Sequence, residues 1–204
     1  MSIGAHKKML NEFKEKLLSD DIRDVYQRYL LGHDIWYFRE QKKSITFAKD
    51  YDEFKLYMSK KLEIHVNNIA IVGSAKMGFS LSPDKNYRTF NDESDIDLVL
   101  VSDRIYKSSW MAFIELQSKN YLPVYAPVAK NIFKGFVSLK ELDIRVDFFN
   151  KWSRNVEPLK KDIQTIFGIP NDINYRIYDS WESVERYHIA GLNSLKDKLQ
   201  GQLI

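Results

Sequence analysis

Ser94-Asp95-Ile96-Asp97-Leu98-Val99-Leu100-Val101 is the stretch whose reading decides the fold. Every residue after Asp97 is apolar and most are branched, which marks a strand covered on both faces. Alternate strand residues point to one side, so Asp95 and Asp97 leave the sheet together, about 6.7 Å apart. Two carboxylates so placed repel each other and resist desolvation, a cost that a divalent cation removes directly. With no histidine or cysteine nearby, such oxygen ligands suit Mg²⁺ or Mn²⁺ rather than zinc. The competing reading is a pair of exposed acids with a turn or capping role at a strand entry.

Upstream, Ile69-Ala-Ile-Val72 is a second short buried strand, and it stops at Gly73-Ser74. A short helix through Phe79 is expected next. Backbone N–H groups and a hydroxyl at such a strand-to-helix turn can hold a phosphate, although Gly-Ser by itself also makes ordinary turns and caps. Lys76 in the same turn is a further candidate for a phosphate contact, set against a merely solvated lysine. Between the two strands, Pro83 to Glu93 is polar and aperiodic and reads as a loop.

A third acid is expected on a neighbouring strand. Phe133–Leu139 and Leu142–Phe149 read as two strands joined by Lys140-Glu141, and the second carries Asp143 and Asp147 with Arg145 between them. Asp147 is favoured because it precedes an apolar pair, where an unpaired carboxylate is costly, whereas Asp143 can pair with Arg145.

Helices flank this centre. Met9, Leu10, Phe13 and Leu17, then Ile22, Val25, Tyr26, Tyr29 and Leu30, recur at helical spacing, with Gly32 at a C-terminal cap. Trp36, Tyr37 and Phe38 pin the connector to the body. Asp50 with Glu53 suggests a capping box ahead of Phe54, Tyr57, Met58 and Leu62. Trp110, Phe113, Ile114 and Gln117 suit a helix on the sheet. Val156, Leu159, Ile163, Ile166 and Phe167 form another stripe, stopped by Gly168 and Pro170. The last helix carries Trp181, Val184, His188, Leu192, Leu195 and Leu199 behind an Asp179–Glu182 capping box.

Composition closes off several classes. The 204 residues contain no cysteine, so disulfide frameworks, thiolate metal sites and cysteine nucleophiles are excluded. A net charge of +3 is too weak to argue nucleic-acid binding, and no DNA-binding motif stands out. No apolar run approaches the roughly 20 residues of a membrane span and no signal peptide opens the chain, so a cytoplasmic protein with no membrane partner is expected. Gly73 to Ser80 nearly spells a Walker loop, but Phe79 stands where a lysine is needed. An EF-hand fails at Val99. The four histidines are scattered, and His188 reads as a satisfied core residue. The pairs Lys42-Lys43, Lys60-Lys61 and Lys160-Lys161 read as solvated faces. Tyr175, Arg176, Tyr178 and Trp181 form an aromatic-cationic cluster suited to stacking on a base or seating a partner.

Ile71-Val-Gly-Ser-Ala-Lys-Met-Gly-Phe-Ser80, Ser94-Asp-Ile-Asp-Leu-Val-Leu-Val101 and Arg145-Val-Asp147 together resemble the DNA polymerase beta-like nucleotidyltransferase superfamily, in particular its small bacterial members. The likeness covers about residues 54 to 150. It implies an α/β fold with a mixed β-sheet nucleotidyltransferase core and flanking N- and C-terminal helices. The expected layout is a single domain over 1–204, with a helical extension at 1–50 and a C-terminal helical segment at 155–204. The resemblance further implies that Asp95, Asp97 and Asp147 hold two metals and that Gly73 and Ser74 hold the triphosphate, ATP being the expected one. Gly73 to Asp95 exceeds the common family spacing, so Ser82 to Glu93 reads as an insertion beside the site. The implied reaction is a two-metal in-line transfer of a nucleoside monophosphate to an acceptor hydroxyl on a partner protein, an RNA, a nucleotide or a small molecule. The alternative is a catalytically inactive module of the same fold that binds nucleotide or a partner protein. Presence or loss of the third acid separates the two.

Overall fold

The computed structural model describes residues 3–119, 125–140 and 142–201. In chain order the elements are α1 (Ile3–Ser19), α2 (Ile22–Val25) running into a wider π turn at Tyr26–Leu31, α3 (Phe47–Leu62), β1 (Ile69–Val72), α4 (Gly73–Met77), β2 (Ile96–Val101), α5 (Asp103–Ser118), α6 (Tyr125–Phe133), β3 (Phe136–Ser138), α7 (Asp147–Phe167), β4 (Ile173–Tyr178) and α8 (Trp181–Gly201). The protein is a mixed α/β fold. Its four-stranded sheet runs β1-β2-β4-β3, with β2 and β4 parallel and both outer pairings antiparallel.

Strand alternation divides β2 between two layers. Ile96, Leu98 and Leu100 face a core built with Phe54 and Met58 of α3, Phe113 and Leu116 of α5, and Phe149, Leu159 and Ile163 of α7. Val99 and Val101 face the other way, with Val72, Tyr178 and Val184 of α8. On its far side α8 turns Leu192, Leu195 and Leu199 toward Phe13, Leu17, Val25 and Leu30, so the N-terminal helices lie on the C-terminal one. Each fully buried aliphatic or aromatic side chain contributes about 1.5–3 kcal/mol, which makes these stripes the main reason the helices form.

The strands expected on either side of the polar loop, the short helix at Gly73, the helix on the sheet and the stripe of α8 are present. Gly32 closes the Tyr26–Leu31 turn, where a Cβ would lie 2.7 Å from the Arg28 carbonyl oxygen. Trp36, Tyr37 and Phe38 are buried, as the connector reading requires. Among the described residues, no helix is long and apolar enough to cross a membrane.

Four expectations are corrected. The stretch 142–149 is not a strand: 142–146 is irregular, and Asp147 opens α7, whose buried Phe149, Trp152, Leu159 and Ile163 recur at helical spacing. The apolar alternation of Leu142, Ile144, Val146 and Phe148 is local only, and Ile144 is 59% exposed. The proposed partner strand shrinks to Phe136–Ser138, while Glu141 of the intended turn lies outside the described residues. The core does not end near residue 150, because β4 at Ile173–Tyr178 lies between β2 and β3. Finally, both capping boxes fail. α3 begins earlier, at Phe47, and the α8 cap is Ser180, whose Oγ accepts from the Ser183 N–H at 3.3 Å.

The loop between β1 and β2 is tied down at both ends. Asn171, just before β4, donates from Nδ2 to the Ser94 carbonyl at 3.0 Å, and Lys198 of α8 donates to the Pro83 carbonyl at 2.7 Å. These two bonds tie the loop to the segment before β4 and to α8, where Ser82 to Lys85 help wall a cavity.

Candidate phosphate-binding cavity

The β1–α4 turn and the head of β2 meet at one point. Val72 pairs with Asp97 across the antiparallel ladder, and Gly73 follows with φ +68°. A Cβ on Gly73 would stand 2.9 Å from Asp97 Oδ2. Glycine is therefore needed twice here, for its left-handed backbone and for the close approach of the carboxylate.

Above this point lies a cavity of about 670 Å³. Gly73, Ser74 and Asp97 form part of its floor with Arg176 of β4. Arg186, Tyr187 and His188 of α8 form one wall, Ser82 to Lys85 of the inserted loop another, and Phe133-Lys134 the rim. Four cationic side chains line it, Lys85, Lys134, Arg176 and Arg186, against two acidic ones, Asp84 and Asp97. The loop expected beside the site borders it through Ser82, Pro83, Asp84 and Lys85.

Asp97 is already engaged. Its Oδ1 accepts from Asn174 Nδ2 at 2.8 Å and from Arg176 Nε at 3.1 Å, and Arg176 Nη2 lies in ion-pair contact with it at 2.9 Å. Arg176 also donates from Nη1 to Tyr187 Oη at 3.3 Å and lies 5.5 Å from the Phe136 ring centroid. Burial acts to lower the Arg176 pKa, but the Asp97 carboxylate together with Tyr187 and Tyr178 outweighs it, so the net shift is upward and the guanidinium stays charged. His188 donates from Nδ1 to the Val184 carbonyl, 2.8 Å away, and burial pushes its pKa down to about 4. It is therefore neutral near pH 7, a satisfied and largely buried histidine that also borders the cavity.

The other expected site residues lie elsewhere. Asp95 precedes β2 and pairs with Lys140 at 3.0 Å, outside the cavity lining. Asp147 is an exposed first residue of α7 and lines a separate cavity of about 510 Å³ with Ser108, Met111 and Val146. α7 packs on the opposite layer of the sheet from Asp97, so the structure does not bring Asp147 to Asp97. Asp143 forks with Arg145, whose Nε lies 2.8 and 3.0 Å from its two oxygens, and the hydrogen bonds from Arg145 hold that carboxyl well below its usual range. Lys76 is buried at 3% exposure and donates to the carbonyls of Gly32 and Asp34, the latter at 2.7 Å. It anchors the connector and does not line the cavity; burial lowers its pKa to about 8.

The donor set decides what the site fits. Two divalent cations need several carboxylate oxygens converging with lone pairs to spare. Among the described residues no group of three His, Cys, Asp or Glu gathers to hold a metal. The strand beside β2 supplies Asn174 opposite Asp97 and Arg176 opposite Val99, so amide and guanidinium stand where a third acid was expected. The sequence reading singled out Arg176 for stacking and missed its place in the sheet. The alternation of Tyr175 and Ile177 with polar Asn174 and Arg176 was the available signal.

No protein-family model matches the chain, and no curated protein or solved structure matches it either. The chemistry of the cavity therefore carries the functional argument.

Proposed function

We propose that the protein is a nucleotide-binding module built on a nucleotidyltransferase-like sheet, with the phosphates of a nucleoside triphosphate seated over Gly73, Ser74 and Arg176. The observation that carries this reading is the excess of cations around a cavity of about 670 Å³, a volume within the range of small-molecule sites. At five residues, α4 has little macrodipole, so Arg176, Arg186, Lys134 and Lys85 supply most of the positive potential. Phe133, 92% exposed at the rim beside Lys134, offers an aromatic face on which a base can stack. Of the two readings of the sequence, this is the binding module; it is favoured because Asp97 lies beside Arg176 and Asn174 and not beside Asp147.

The test is to incubate the full chain with each labelled triphosphate and Mg²⁺ or Mn²⁺, with and without cell lysate. Saturable binding without pyrophosphate release is expected. Phe133→Ala should weaken nucleotide binding by about 1–3 kcal/mol while leaving inorganic tripolyphosphate binding unchanged. Pyrophosphate release that Asp97→Asn abolishes would instead restore nucleotidyl transfer onto a protein, RNA or small-molecule hydroxyl.

A further inference from the structure

Arg176 stands at the centre of the cavity floor, and its surroundings show what kind of charge this site was built to hold. Nε donates to Asp97 Oδ1 and Nη1 to Tyr187 Oη, and Nη2 lies in ion-pair contact with the same carboxylate oxygen. The ring of Phe136 flanks it at 5.5 Å and that of Tyr187 at 6.0 Å. A guanidinium carries five N–H donors, so these two bonds and the ion-pair contact fix its plane and leave further donors on a side chain that lines the cavity.

The carboxylate beside it is correspondingly engaged at Oδ1. Asp97 Oδ1 accepts one N–H from Asn174 and one from Arg176 Nε, with Arg176 Nη2 2.9 Å away, and Oδ2 lies 2.9 Å from where a Cβ on Gly73 would stand. Mg²⁺ demands near-ideal octahedral oxygen geometry and gives up its waters reluctantly. A metal at Asp97 would have to displace the guanidinium from a half-enclosed ion pair whose two side chains are only 20% and 19% exposed. Removing one partner of such a pair is costly, because the other is left uncompensated.

We propose that this cavity binds the phosphates of its ligand without a divalent cation, Arg176 supplying the fixed positive charge that a metal ion would otherwise provide. This inference rests on the nucleotide-binding reading and adds the way in which the phosphate charge is met. Lys134 and Arg186 at the rim complete the anion site, and neither forms an ion pair with another described residue. Asp97 then acts as a positioning residue that holds the guanidinium in place.

Calorimetric titration of the full chain with ATP, and separately with tripolyphosphate, in excess Mg²⁺ and in excess EDTA tests it. Dissociation constants within about threefold of each other in the two buffers are expected. A loss of more than about tenfold in EDTA overturns the inference and leaves nucleotide binding standing. Binding in neither buffer overturns the nucleotide reading and this inference with it. Arg176→Gln, with its fold checked by circular dichroism, should bind ATP at least about tenfold more weakly in EDTA and regain affinity when Mg²⁺ is added, because Asp97 is then released to a metal. Equal affinity of Arg176→Gln and wild type in EDTA would overturn the assignment. If that variant does not fold, Lys134→Ala with Arg186→Ala, both exposed, should weaken ATP binding equally in the two buffers; a loss confined to the Mg²⁺ buffer would overturn it.

Discussion

The two faces of β2 are separated by one peptide unit and do opposite things. Leu98 and Leu100 are fully buried against α3, α5 and α7, in a layer of interlocking aromatic and aliphatic side chains. Asp97 points to the other side, where α8 covers Val99 and Val101 but the cavity opens over the head of the strand. One face is apolar and closed, so its energy goes into stability. The other keeps a charge pair at the edge of water, which adds little to stability and much to chemistry. The same alternation of side chains that builds the core delivers Asp97 to the cavity.

Breaking the closed face should have the largest effect. Phe149 is fully buried and its ring lies 4.7 Å from that of Phe113. Phe149→Ala should cost about 3–5 kcal/mol in urea unfolding, while the fraction that remains folded binds ATP normally. A loss of affinity in folded protein would mean that the two faces are coupled.

The covering helix sharpens the contrast through pH. His188 titrates near 6.5 in the unfolded chain but is pushed down to about 4 in the fold, chiefly by burial. Between those values the unfolded state takes up a proton that the native state refuses. Stability should therefore fall as pH drops from 6.5 toward 4, by up to about 3 kcal/mol, and His188 should add no further loss below that window. His188→Gln should flatten the slope of stability against pH in that window, as read from unfolding midpoints. An unchanged slope would show that His188 is already charged in the native state.

The smallest effect is expected at Asp147, where the comparison of the two layers is most exposed to failure. Asp147→Asn removes a favourable charge from the first turn of α7, worth about 0.5 kcal/mol, and should leave ATP affinity and any pyrophosphate release untouched. Loss of either would bring Asp147 back to the cavity and restore the three-carboxylate reading.

What was legible in the residues follows from how local each signal is. β1 and β2 are buried on both sides, so they appear as unbroken apolar runs. α8 shows its stripe because Val184, His188, Leu192, Leu195 and Leu199 all face the interior. β4 is signalled only by the alternation of Tyr175 and Ile177 with polar Asn174 and Arg176, a weaker mark than the unbroken apolar runs of β1 and β2. The false strand at 142–149 arose because a short alternation outweighed a longer helical period continuing from Phe149 to Ile163. The Gly73-Ser74 turn and Asp97 were found from type and spacing alone. Lys76 was placed by its nearness in sequence to that turn, while its actual partners are carbonyls more than forty residues upstream.

By itself the chain determined that a Gly-Ser turn follows one buried strand, that an aspartate heads the next, and that a long amphipathic helix closes the C-terminal end. These are matters of local conformational preference and of which side chains avoid water. Only the tertiary structure decided which strand lies beside Asp97. Backbone ladders look alike for any pair of strands, so the choice between 142–149 and 173–178 depends on packing between segments distant along the chain. Asn174 meets Asp97 across a separation of 77 residues, and that pairing of strands put an amide and a guanidinium, in place of a third carboxylate, beside Asp97, with the guanidinium lining the cavity.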